Sequence, residues 1–218
     1  MAKGGTKPWR VAGTVLLGTA MIVFWHSPVL WPLKIVVVLF HELSHAIAAW
    51  LTGGEVRTIG LGTDQSGVTR TVGGWRILIL NAGYTGSLLW GVALRTASHR
   101  AGWAKPMLAL VAGIIGLVTL GFVRPFVSFG FVFALLVAAA MGTAARRLSK
   151  STVAVGLEAL GTFSVLYALL DIRDDVLSFG VGTSDATALA AVTSIPAVVW
   201  GLAWIAAGAA TLWLTRRW

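Results

Sequence analysis

The chain contains no cysteine among its 218 residues. Disulfide staples, a thiolate nucleophile and every zinc site built on sulfur are therefore excluded. Charge is scarce as well: Asp, Glu, Lys and Arg together make up 11% of the sequence, against about 25% in a soluble domain. Acids are the rarer sign, eight against seventeen Lys plus Arg, which leaves a formal charge of +9. A basic face with interleaved aromatics would point to nucleic acid, but these cations stand singly or in twos and threes between apolar runs, as loop anchors do. No nucleic-acid partner is expected. Also missing are an internal repeat, a soluble domain and a small-residue cleavage site in the first apolar run. That run passes His26-Ser27-Pro28 to reach Leu33, and reads as a retained helix rather than a signal peptide.

Apolar residues dominate, at 57% of the chain. Uncharged runs extend over Val11–Leu33, Ile77–Leu94, Met107–Val123, Pro125–Ala145 and Ala186–Thr215. Each is near or beyond the roughly 18 residues that span hydrocarbon, and such unbroken runs fit helices rather than a lipid-facing barrel. The sequence thus predicts an all-α polytopic membrane protein, one membrane-embedded domain over 1–218. About seven transmembrane helices are expected: 11–33, 33–51, 77–94, 107–123, 126–145, 152–170 and 188–214. Arg124-Pro125 separates the fourth from the fifth, because proline disfavours helix in the residue before it and arginine prefers the interface. Trp9, Trp31, Trp50, Trp75 and Trp218 flank segment ends, where an amphipathic ring suits the headgroup level. The positive-inside rule does not orient the chain, since the two sides would carry eight and nine cations.

One connection is different. Residues 55–74 carry Val56-Arg57-Thr58-Ile59 and Val68-Thr69-Arg70-Thr71-Val72 around Thr63-Asp64-Gln65-Ser66-Gly67, with Gly pairs at 53/54 and 73/74. β-Branched residues favour extended backbone and Asp, Ser and Gly favour a turn, so a small β-hairpin is predicted after the second helix.

Within that second helix stands His41-Glu42-Leu43-Ser44-His45. The i, i+4 spacing brings two imidazoles to one helical face about 6 Å apart, which suits one tetrahedral zinc. Glu42, rotated about 100° around the axis, can face a metal-bound water as general base. From the composition, four His and three Glu, the motif is expected by chance roughly once in a thousand such chains. The alternative is a pair of core histidines beside an incidental glutamate. Against it, a carboxylate near a membrane-helix centre costs about 2.5–3.5 kcal/mol, and intramembrane ionisable groups are functional by default. Placement between Lys34 and Glu55 puts the pair roughly 10–15 Å from either polar end.

A catalytic zinc takes three protein ligands and keeps one position open. Asp171 is the expected third ligand, at the end of the apolar run from Thr162; its alternative is a helix-end carboxylate paired with Arg173. Asp174 and Asp175 follow one turn later and mark a solvated end. Glu158, about 20 Å from Asp171 along the same helix, is either a rival ligand or a hydrogen-bonded core group. His26 and His99 read as interfacial.

The order of apolar helix, His-Glu-x-x-His, Gly-bounded β segment and a helix opening Asn81-Ala82-Gly83-Tyr84-Thr85-Gly86-Ser87 resembles the site-2 protease (peptidase M50) family of intramembrane zinc metalloproteases. Its compact bacterial M50B-like branch is the nearest in form. Ala82-Gly83 and Ser87 are similar to the family's Ala-Gly-Pro and following Asn, with Tyr84 in place of Pro. Leu170-Asp171 is similar to the start of the family's Leu-Asp-Gly, with Ile172 in place of Gly. The upstream Asn-Pro is missing and no PDZ-like domain is inserted. The resemblance implies a zinc-dependent endopeptidase of membrane-spanning substrates in a bacterial plasma membrane, with Glu42 catalytic and His41, His45 and Asp171 on zinc. Asn81, Gly83, Gly86 and Ser87 would then meet substrate or support the ligands, although helix packing through small residues explains them equally well. Two other functions compete: an inactive metal-binding scaffold or chaperone of the same fold, and an ion transporter using Glu158 and the Asp171–Asp175 cluster.

Overall fold

The computed structural model describes residues 8–177 and 184–215, the side chains of 8–11, 14, 174–177, 212 and 214–215 excepted. Helix α1 (Pro8–Val23) is followed by a 3₁₀ turn at Pro28–Leu30 and by α2 (Trp31–Leu51). Strands β1 (Glu55–Leu61) and β2 (Gly67–Val72) come next, then α3 (Arg76–His99), α4 (Ala104–Phe122), α5 (Phe129–Arg147), α6 (Lys150–Leu177), α7 (Asp185–Thr193) and α8 (Ala197–Thr215). Among the described residues, five helices are long and apolar enough to cross a membrane: Pro28–Leu51, α3, α4, α5 and Lys150–Arg173 of α6. The protein is a largely helical integral membrane protein.

The two outer members of the expected seven are shorter than anticipated. The first apolar run is not one helix, because α1 stops at Val23 and Pro28 restarts the chain in a new direction. The last run divides where Ser194 takes a left-handed φ of 59° and Pro196 follows, giving α7 and α8 in place of a single 188–214 helix. The break at Arg124-Pro125 stands as expected. There Arg124 gives its guanidinium to the carbonyls of Val123 and Gly121, both at 2.8 Å, closing the end of α4.

Strands β1 and β2 form the antiparallel hairpin, paired from Glu55↔Val72 to Leu61↔Gly67 with one irregularity between Val56 and Thr58. Its turn is set locally: Asp64 Oδ1 accepts from the Ser66 amide at 3.1 Å and the Ser66 hydroxyl at 2.6 Å, and these bonds hold the Asp64 carboxyl below its ordinary pKa. The hairpin returns through Gly73 and Gly74, both left-handed at φ 72° and 75°. Its tip reaches back to the start of α2, where Trp31 Nε1 donates to the Thr63 carbonyl at 2.8 Å. The hairpin therefore lies along α2 instead of projecting from its end. The outer edge of β1 is covered by Val123, which bridges Ile59, and by Arg124, whose amide donates to the Ile59 carbonyl.

Helices α2, α3 and α6 form the centre. Lipid tails are as apolar as leucine, so close packing and polar contacts hold such helices together more than the hydrophobic effect does. Phe40, Leu43, Leu94 and Phe163 are fully buried there, Phe40 stacking on Trp90 at 5.1 Å. Gly91 and Gly161 let α3 and α6 touch backbone to side chain, and Ser164 Oγ donates to the Ser87 carbonyl at 2.8 Å.

Candidate active site

Helix α2 is 21 residues long, about 31 Å, and His41 lies near its middle. One turn apart, the His41 and His45 rings stand edge to face at 4.7 Å. His45 is oriented from α3: its Nδ1 lies 2.6 Å from the Ile79 carbonyl. A carbonyl can only accept, so the proton is on Nδ1 and, in the neutral ring, Nε2 presents a bare lone pair. His41 is held by Tyr84, whose ring meets it edge-on at 4.9 Å and is backed by Trp204 of α8 at 4.8 Å.

The acid set against these imidazoles is Asp185, which opens α7. Its Oδ2 lies 3.0 Å from His41 Nε2 and 3.2 Å from His45 Nε2. That oxygen is buried and accepts no hydrogen bond. A carboxylate oxygen facing a bare imidazole nitrogen is a pair of acceptors, repulsive unless a cation or proton lies between them. Two imidazole nitrogens and one carboxylate make a borderline N₂O set, the donors zinc prefers where sulfur is absent. The residues present therefore fit a divalent cation. Ligand atoms of His41, Glu42 and His45 also lie within 4.8 Å of one another.

Glu42 is almost fully buried, and one oxygen of its carboxylate is held by the hairpin. Thr69 of β2 donates its hydroxyl to Glu42 Oε2 at 2.6 Å. Gly67 sits so close that a side chain there would strike the Glu42 carboxylate. Above these groups opens a cavity of about 960 Å³, lined by the two histidines, Glu42, Asp171, Asp185 and β2 from Gly67 to Thr71. Its polar lining gives water a protein-walled route to mid-helix depth, the only kind of route hydrocarbon permits.

Asp171, the expected ligand, lines this same cavity, and Asp185 lies against both rings. The side chains of Asp174 and Asp175 lie outside the described residues. Glu158 is the hydrogen-bonded core group, not a ligand: it pairs with Arg95 Nε at 3.1 Å and His99 Nε2 at 3.0 Å and accepts from Ser98 Oγ at 2.9 Å. His99 belongs to that cluster instead of the interface.

Asn81, Gly83, Gly86 and Ser87 are brought to the site's rear wall but do not line the cavity. Asn81 accepts from Trp204 Nε1 at 3.1 Å, and a Cβ at Gly83 or Gly86 would strike His41 or Ser44. Ser87 Oγ donates to the Gly83 carbonyl at 3.1 Å. Their contacts are those of close helix packing.

Two residues escaped the sequence reading. Asp185 carried a local signal, since Ser184 and Thr187 form a capping box that starts α7, but nothing linked this start to α2. Thr69 looked like one of several β-branched strand residues.

A family model described as Peptidase M50B-like matches residues 14–215. Neither a curated protein nor a solved structure matches the chain. Since that one match runs over nearly all of the sequence and takes in motif, hairpin and membrane helices alike, the chain belongs to the M50B-like peptidase family.

Proposed function

We propose that this protein is a zinc-dependent intramembrane endopeptidase that hydrolyses peptide bonds of membrane-spanning proteins, in a bacterial plasma membrane. The observation that carries the reading is the buried Asp185 Oδ2, placed between two imidazole nitrogens and left without a hydrogen bond. His41, His45 and Asp185 would hold the metal. When bound, zinc supplies a Lewis acid for the scissile carbonyl and lowers the pKa of a coordinated water towards about 7.

The remaining work falls to the chain. Glu42 takes a proton from the attacking water at its carboxylate and returns it to the leaving amine. The Thr69 hydroxyl fixes the rotamer of that carboxylate through the 2.6 Å bond. Ile79 keeps the His45 proton on Nδ1. A scissile bond inside a transmembrane helix is shielded by its own hydrogen bonds, so the substrate must unwind before it reacts. β2 is suited to hold it: one edge pairs with β1, and the strand borders the cavity beside Glu42. An extended substrate segment can add to its other edge, exchanging helical hydrogen bonds for strand ones.

The test is cleavage of a membrane-spanning substrate in reconstituted vesicles by wild type and by Glu42→Gln, with zinc measured on both. Loss of cleavage with zinc retained supports the reading. Equal processing by both proteins would give the function to a client-gripping scaffold instead. The transporter alternative loses its central carboxylate, because Glu158 is engaged by Arg95, Ser98 and His99.

A further inference from the structure

Away from the catalytic cavity, a groove of about 800 Å³ runs between α1, the start of α2 and the α5–α6 pair, with Leu108 of α4 also in its wall. Leu17, Met21, Leu33, Met141 and Leu160 are typical of its walls; Ser27 and Thr152 are the only hydroxyls, and no charged side chain enters. Leu148 and Thr152 bring the groove to the α5–α6 connection. That connection carries Arg146, Arg147 and Lys150, all exposed. Lys105 joins them from α4, its Nζ donating to the Arg146 carbonyl at 3.3 Å.

These four cations have no acid to answer them nearby in the chain. Residues 96–157 contain neither Asp nor Glu, and Glu158, the first acid beyond, is occupied by Arg95, Ser98 and His99. A long apolar slot ending at uncompensated cations has the form of one molecule in the surrounding membrane: a hydrocarbon chain joined to a negatively charged head.

We propose that this groove is a binding site for an anionic phospholipid, an acyl chain lying along α1, α5 and α6 and the phosphate head resting on Arg146, Arg147, Lys150 and Lys105. Bulk lipid would fill the slot whatever its headgroup. What the cations add is selectivity, because each near-surface Lys or Arg strengthens attachment of an anionic head about fivefold.

The test uses the full chain purified in mild detergent, stripped of lipid and offered phosphatidylglycerol or phosphatidylcholine, with bound lipid read by native mass spectrometry. Wild type is expected to retain phosphatidylglycerol about six-hundredfold more strongly. The triple variant Arg146→Gln/Arg147→Gln/Lys150→Gln should keep only the about fivefold preference that Lys105 provides. Gly156→Phe fills the groove from within: a Cβ there meets nothing within 4 Å, and phenylalanine is a better helix former than glycine, so the chain should fold and bind neither lipid. Gly113→Phe, equally open but outside the groove, should behave as wild type. Equal retention of the two lipids by wild type, or unchanged binding by Gly156→Phe, would overturn the proposal. So would a wild-type dimer that Gly156→Phe splits, since a second copy would then own the groove.

Discussion

Within one helical bundle, Glu158 receives Arg95, Ser98 and His99, whereas Asp185, near α3 at Gly83 and so about 18 Å from Arg95 along that helix, accepts no hydrogen bond from the two imidazoles it faces. Both places hold histidine and a carboxylate away from water. At the first, Glu158 accepts from the Arg95 guanidinium and the Ser98 hydroxyl, so the cluster ties α3 to α6. At the second, a carboxylate oxygen and two imidazole nitrogens converge within 3.2 Å, and a proton or a cation between them satisfies the set. Polar groups inside an apolar bundle are stable only when satisfied. The difference between the two clusters separates a clamp between helices from a group of ligand atoms that opens on a cavity.

Asp185→Ala breaks the comparison most severely. It should cost more than the about hundredfold typical of an outer-sphere partner, emptying the site of zinc and abolishing cleavage, while Asp171→Ala keeps most of the metal. Elemental analysis of purified variants distinguishes the two, and zinc loss confined to Asp171→Ala would reverse the assignment. Next comes Glu42→Gln, expected to slow turnover by about 10²- to 10⁴-fold with zinc content unchanged, as single-turnover kinetics would read.

Glu158→Gln tests the other cluster. Removing one partner of a buried ion pair costs about 3 kcal/mol, so the unfolding midpoint should fall sharply although zinc stays bound. A metal defect in this variant would mean that the clusters are not independent. The mildest change is Thr69→Val, nearly isosteric, which deletes one hydrogen bond to a carboxylate. A loss of about 1.5 kcal/mol corresponds to about tenfold in turnover, expected in kcat with binding little altered. A purely structural Thr69 would instead lower stability and leave kcat of the folded fraction intact.

The legibility of the fold follows the range of the interactions involved. Apolar runs mark membrane helices because bilayer thickness sets their length: Ile77–Leu94 falls inside α3, and Met107–Val123 overlaps α4 up to its last residue, Phe122. The hairpin was readable because its turn is closed by neighbours, Asp64 to Ser66. The ends of the chain were not: one uncharged run conceals Ser194 and Pro196, where a left-handed residue and a proline divide α7 from α8.

By itself the sequence determined the membrane setting, the hairpin, and the placement of His41, Glu42 and His45 on one helix, all consequences of spacing along a single regular element. Only the tertiary structure decided that Asp185 faces the imidazoles, that Thr69 holds Glu42, and that Glu158 is spent on Arg95, Ser98 and His99. Those contacts join α2 to α7, to β2 and, through α3, to α6. Helical periodicity fixes which side chains share a face, but which faces meet depends on how all the helices pack.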